Sequence, residues 1–128
     1  MPAPHDTICR MHTILIVDDH AGFRHQARAL LEADGFVVIG EAYNGATGLA
    51  AARALRPDLV LLDIGLPDVE GFAVARELTA DGPPPLVILT SSRDASAFGS
   101  RLTAEPVLGF LPKEELSGSA LLAMLQTA

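Results

Sequence analysis

Five polar side chains stand where the apolar runs of this sequence end. Asp18 and Asp19 follow TILIV, Asp63 follows DLVLL, Thr90 follows LVIL, and Lys113 comes just after VLGFL. Three aspartates brought together repel one another, and their ionised forms need a compensating cation. Oxygen donors with no histidine or thiol at ligand spacing favour Mg²⁺ or Ca²⁺ over zinc. Mg²⁺ takes one or two carboxylates, keeps several waters and bridges to phosphate. A carboxylate in such a site can act as a nucleophile and form an acyl phosphate. The metal stabilises charge in the transferring group. Lys113 is the only lysine of the chain, and a compact ammonium suits a phosphoryl oxygen. The Thr90 hydroxyl can hydrogen-bond another oxygen.

These residues must be positioned by the elements around them. Short β-branched or leucine-rich runs predict strands over 13–17, 36–39, 58–64, 86–89 and 107–111. They do not alternate in polarity, which marks strands buried on both faces. Helices are predicted between them, over 21–34, 46–56, 69–80, 94–103 and 115–126. The first carries Phe23, Ala27, Leu30 and Leu31 at helical spacing, with Arg24, Arg28 and Glu32 between them. Gly35 is read as a helix stop, Asn44-Gly45 as a turn or N-cap, and Pro57 as the end of the second helix. Gly82 and three prolines form a stiff connector. The last helix carries Leu116, Leu121, Leu122 and Leu125.

Alternation of buried strands with helices implies an α/β fold with a parallel sheet covered on both faces. The expected architecture is flavodoxin-like: a doubly wound (βα)5 domain with five parallel strands in the order 2-1-3-4-5. Ligands bind beyond the carboxyl ends of such strands. In that order strands 1, 3, 4 and 5 are contiguous, so all five polar residues share one edge of the sheet.

The bulk composition narrows the function. The 128 residues suit one domain with one core, at 49% hydrophobic and only 5% aromatic residues. A formal net charge of −7 disfavours direct nucleic-acid binding. The single cysteine, Cys9, excludes an intrachain disulfide and a multi-thiolate zinc site, and fits a cytoplasmic protein. No stretch approaches the ~20 apolar residues that span a bilayer. Residues 1–11 are expected to be a disordered extension, with the domain over 12–128.

These features resemble the receiver domain of two-component response regulators, a chemotaxis-regulator-like fold, from about residue 12 onward. ILIVDDH is similar to the family's first strand with its acidic pair, and LVLLDIGLPDVEG to its phosphorylation-site strand. VILTSS and GFLPK are similar to its later strand ends. The resemblance implies Asp63 as phosphoacceptor and Asp19, Asp63 and the Gly65 carbonyl as direct Mg²⁺ ligands, with Asp18 acting through a water. It further implies Thr90, Lys113 and Phe110 as the phosphoryl-binding and switch residues. The donor would be a histidine kinase or a histidine phosphotransfer protein. The face made by the fourth helix, fifth strand and fifth helix would serve a homodimer or a downstream protein. DDHAGFR and FLPKEEL are most similar to receivers that precede helix-turn-helix output domains. Three positions depart from the family: Pro112 precedes Lys113 where the family often has a proline after it, Gly65 replaces a larger side chain, and Pro106 replaces a small one.

Other readings stand beside this one. Thr90 is also good capping material, Phe110 equally suits plain core packing, and His12, His20 and His25 lack metal-ligand spacing. His20 is placed near the pocket rim. The expectation is a signalling domain with no classical substrate turnover. One alternative is an interaction module that works without phosphorylation. Another is a Mg²⁺-dependent aspartyl-phosphate hydrolase. The haloacid-dehalogenase group, however, needs a second acid two residues past its nucleophile, where Gly65 stands here.

Overall fold

The structure is a computed structural model that describes residues 12–80, 83–93 and 107–126. Its strands are β1 (Thr13–Val17), β2 (Val37–Ala42), β3 (Leu59–Asp63), β4 (Leu86–Ser91) and β5 (Gly109–Pro112). They form one sheet in the order β2-β1-β3-β4-β5, with every pairing parallel. This is the expected flavodoxin-like order. The described helices are α1 (Ala21–Ala33), α2 (Gly45–Leu55), α3 (Gly71–Ala80) and α4 (Gly118–Gln126). The helix expected over 94–103, Pro106, Gly82 and the 1–11 extension lie outside the described residues.

The unbroken apolar strands follow from burial on two sides. Successive side chains point to opposite faces. Leu15, Val17, Val60, Leu62, Val87 and Leu89 pack with Phe72, Ala75 and Leu78 of α3 and Ala52 of α2. Ile14, Ile16, Leu59, Leu61 and Ile88 pack on the other face with Ala27 and Leu31 of α1 and Leu121 of α4. Truncating a central leucine such as Leu61 to alanine removes about 2–5 kcal/mol.

Local signals set the helix ends. The Asn44 side chain accepts from the Thr47 N–H at 2.8 Å, and the Thr47 hydroxyl closes a capping box with the Asn44 backbone. Gly35 takes a φ of +94°, a left-handed turn that suits glycine. Strand β2 starts one residue later than expected and runs on to Ala42, because β1 pairs with it as far as Val17↔Ala42.

The last helix departs from expectation. Its leucine spacing predicts a helix from residue 115, but Lys113–Glu115 form one 3-10 turn and the helix begins at Gly118. The Ser117 hydroxyl caps it by accepting from the Ala120 N–H at 3.0 Å. Asp34, at the C-terminal end of α1, accepts from the Gly118 N–H at 3.1 Å. Helix α1 spans 13 residues, or about 20 Å. The chain therefore runs lengthwise along α1 after Lys113, past Gln26, Ala27 and Leu30, before α4 starts. Leu116 is buried in this run beside the core of the α1 face.

Candidate functional site

The carboxyl ends of β1 and β3 place three aspartates together. The Asp18 N–H still belongs to the sheet, donating to the Ala42 carbonyl at 3.0 Å. Its side chain then turns into a pocket, where Asp18 is 1% exposed and Asp63 4%. Asp18 Oδ1 accepts from the His20 N–H at 2.9 Å, which shapes the turn into α1. Arg24 fastens that turn from outside: Nη1 donates to the Asp18 carbonyl at 2.6 Å, and Nε lies 3.1 Å from Glu41 Oε1 on β2.

Ligand atoms of Asp18, Asp19, His20 and Asp63 all lie within 4.8 Å of one another. His20 is the residue that sequence spacing set aside as a ligand. Its Nδ1 lies 3.0 Å from Asp18 Oδ1 and 3.2 Å from Asp19 Oδ1. Only the turn after β1 creates this contact, so no repeat spacing announces it.

Lys113 supplies the positive charge. Its Nζ lies 2.7 Å from Asp18 Oδ2 and 3.7 Å from Asp63 Oδ2, and 4.6 Å from the centre of the Phe23 ring. Thr90 pairs with Asp63 across the β3–β4 ladder, and its hydroxyl is buried without a hydrogen-bond partner among the described residues. Phe110 lies outside this cluster. It is half-buried on β5, opposite Leu89, and packs on the core beneath α2 and α3.

The loop after Asp63 is held at both ends. The Gly65 N–H donates to Asp63 Oδ1 at 3.3 Å. Gly71 donates to the Ile64 carbonyl at 2.9 Å, and a Cβ at Gly71 would run into the Asp63 carbonyl oxygen. Asp68 reaches across to α2, accepting from the N–H groups of Gly45 at 2.7 Å and Ala46 at 3.0 Å. Those donors hold the Asp68 carboxyl below its ordinary pKa. Burial pushes the Asp63 carboxyl up, and the neighbouring Asp18 charge adds to this, against Lys113 and the Gly65 N–H. Sequence reading missed Asp68, because its partners stand more than 20 positions back in the chain.

The donors suit a hard divalent cation: clustered carboxylate oxygens, with a hydroxyl alongside that has no partner among the described residues. Open space lies where a side chain would stand at Gly65. A buried carboxylate such as Asp63, next to an ammonium, can act chemically as a nucleophile toward an electrophile whose charge the ammonium offsets.

The response regulator receiver domain family matches residues 14–126. The chain belongs to that family. This receiver domain is 41% identical over 102 residues to BvgA of Bordetella pertussis, provisionally named a positive transcription regulator of virulence factors. The match covers 80% of the chain and 49% of that protein. It is 39% identical over 113 residues to a provisionally named transcriptional regulator of Pseudomonas aeruginosa, covering 88% of the chain and 55% of the relative. The chain thus spans about half the length of these relatives. The solved receiver domain of a Mycobacterium tuberculosis protein, provisionally named the response regulator NarL, superposes with a TM-score of 0.83 at 30% identity. It covers 93% of this chain and 99% of that one. A receiver domain is a signalling domain of two-component systems. Among the described residues, no helix is long and apolar enough to cross a membrane.

Proposed function

We propose that this receiver domain accepts a phosphoryl group on Asp63 from the phosphohistidine of a histidine kinase or phosphotransfer protein, in a Mg²⁺ site. The observation that carries this reading is the burial of Asp63 beside Asp18, Asp19 and Lys113 at one sheet edge. Asp19, Asp63 and the Gly65 carbonyl would hold the ion directly, and Asp18 through a water. When bound, Mg²⁺ neutralises the clustered carboxylates and the charge on the transferring group.

The residues of the chain do the rest. A carboxylate oxygen of Asp63 attacks phosphorus while the phosphorus–nitrogen bond of the donor breaks, and the leaving imidazole takes a proton. Lys113 leaves Asp18 and pairs with a phosphoryl oxygen. The free Thr90 hydroxyl donates to another. Movement of Thr90 opens room for Phe110 to turn, shifting β5 and its neighbours between two populations. The altered face would bind a second copy or a downstream partner, in the cytoplasm. The domain turns over no substrate beyond its own phosphorylation and dephosphorylation.

Incubation with Mg²⁺ and a small phosphodonor tests this by intact mass. One added phosphoryl is expected on the wild type and none on Asp63→Ala. A phosphoryl that survives Asp63→Ala moves the acceptor elsewhere. A wild type that is never modified and never binds beryllofluoride overturns the reading.

A further inference from the structure

We infer that Phe23 is the positioning residue for Lys113: its ring holds the ammonium at the acidic pocket when other cations compete for Asp18. The inference rests on the proposed phosphoryl chemistry of the site.

Lys113 Nζ has three neighbours at the pocket. Asp18 Oδ2 is at 2.7 Å, Asp63 Oδ2 at 3.7 Å and the Phe23 ring centre at 4.6 Å. The carboxylates attract most strongly, so Asp18 sets where the lysine rests. A divalent ion drawn to the same acids weakens that hold. Phosphorylation then converts the Asp63 carboxylate into an acyl phosphate and presents oxygens farther from the sheet. The aromatic ring is changed by neither event, since it carries no charge and binds no metal.

The surroundings favour a working contact. The Lys113 side chain is only 14% exposed, and attraction between a cation and a ring face strengthens as water is excluded. Phe23 sits in the first turn of α1 and is half-buried. Gln26, Ala27 and Leu116 continue the same groove. Glu114 also lines this groove but is exposed, where water screens its charge, so beside the pocket acids the ring is the ammonium's sheltered neighbour.

Phe23→Leu keeps an apolar wall and removes the ring. With Mg²⁺ saturating, its affinity for beryllofluoride should fall about three- to ten-fold, while Mg²⁺ affinity measured alone stays at the wild-type value. Phe23→Tyr should restore beryllofluoride binding. Equal beryllofluoride affinity in wild type and Phe23→Leu overturns the inference, as does a parallel loss of Mg²⁺ and beryllofluoride. A second measurement needs no variant. Lys113 is the only lysine, so its ε-methylene signal is unambiguous by NMR. An upfield ring-current shift should persist when Mg²⁺ is added to the wild type; its disappearance overturns the inference. If the wild type itself fails to bind beryllofluoride, the proposed phosphoryl chemistry fails and takes the inference with it. Wild-type binding with an unaffected Phe23→Leu sinks the inference alone.

Discussion

Asp68 and Gly45 join the loop after β3 to the first residue of α2, carboxylate Oδ1 to backbone N–H at 2.7 Å. Asp68 thereby satisfies the first free donors of α2, which no residue within the helix can reach. The same side chain accepts from its neighbour Val69 at 3.0 Å, so it stiffens the loop that follows Asp63.

Asp68→Ala should therefore release two sites at once. Amide hydrogen exchange at Gly45 and Ala46 should accelerate. Mg²⁺ affinity should fall a few-fold as the loop carrying Gly65 loosens, while the core amides of β3 keep their protection. Unchanged exchange at Gly45 and Ala46 would show that the capping contact is idle.

Burial raises the Asp63 pKa, so the folded chain holds that proton more tightly than the unfolded chain does. The sign follows by linkage. Below the ordinary value of 3.8 the group costs nothing in either state. As pH rises through the folded pKa, stability is lost. In EDTA at pH 7, Asp63→Asn should be more stable than wild type by about 1 kcal/mol, and the gap should close as pH falls below 4. Adding Mg²⁺ should stabilise the wild type more than the variant. Thermal melts across this pH range give the answer, and a gap that widens toward acid would refute the linkage.

Lys113→Met removes the cation beside Asp18 and Asp63 but keeps much of the side-chain bulk. Two buried carboxylates then lose their compensating charge. In EDTA the melting temperature should drop by several degrees. Mg²⁺ should bind more tightly, because no ammonium competes for Asp18. Beryllofluoride should bind more weakly, because its oxyanion-like fluorines lose a partner. Calorimetric titrations of both ligands would separate the two effects.

Gly71→Ala tests the close approach of α3 to the end of β3. A methyl there meets the carbonyl oxygen of Asp63 and, at 2.9 Å, the Cα of Ile64. Backbone cannot step aside as a flexible side chain can. The expected cost is about 2–4 kcal/mol, with a shifted Asp63 lowering Mg²⁺ affinity as well. Chemical denaturation reads the first, and a wild-type midpoint would contradict it.

The strand order and the shared sheet edge were legible because buried parallel strands announce themselves as unalternating runs. Asp18, Asp19, Asp63 and Lys113 close the ends of those runs, so their meeting followed from topology. Thr90 was legible in the same way, through its pairing with Asp63. His20 was legible as a neighbour of the pocket rim but not in its contacts to Asp18 and Asp19, which depend on a turn; Asp68 was not legible, because it reaches from a loop to the start of α2. The start of α4 was misread for a different reason. Leu116 and Leu121 are both buried, and helical spacing cannot reveal that one sits on a strap and the other on the helix. The Ser117 cap and the Asp34 contact to Gly118 decide it, and only the second is long-range.

The segment from Lys113 to Gly118 links the two ends of α1. At one end Lys113 lies against Asp18; at the other, Gly118 is pegged to Asp34 about a helix length away. The segment between them begins with the 3-10 turn of Lys113–Glu115 and carries the buried Leu116. An aspartate remote from the acidic pocket thus fixes where the final helix begins.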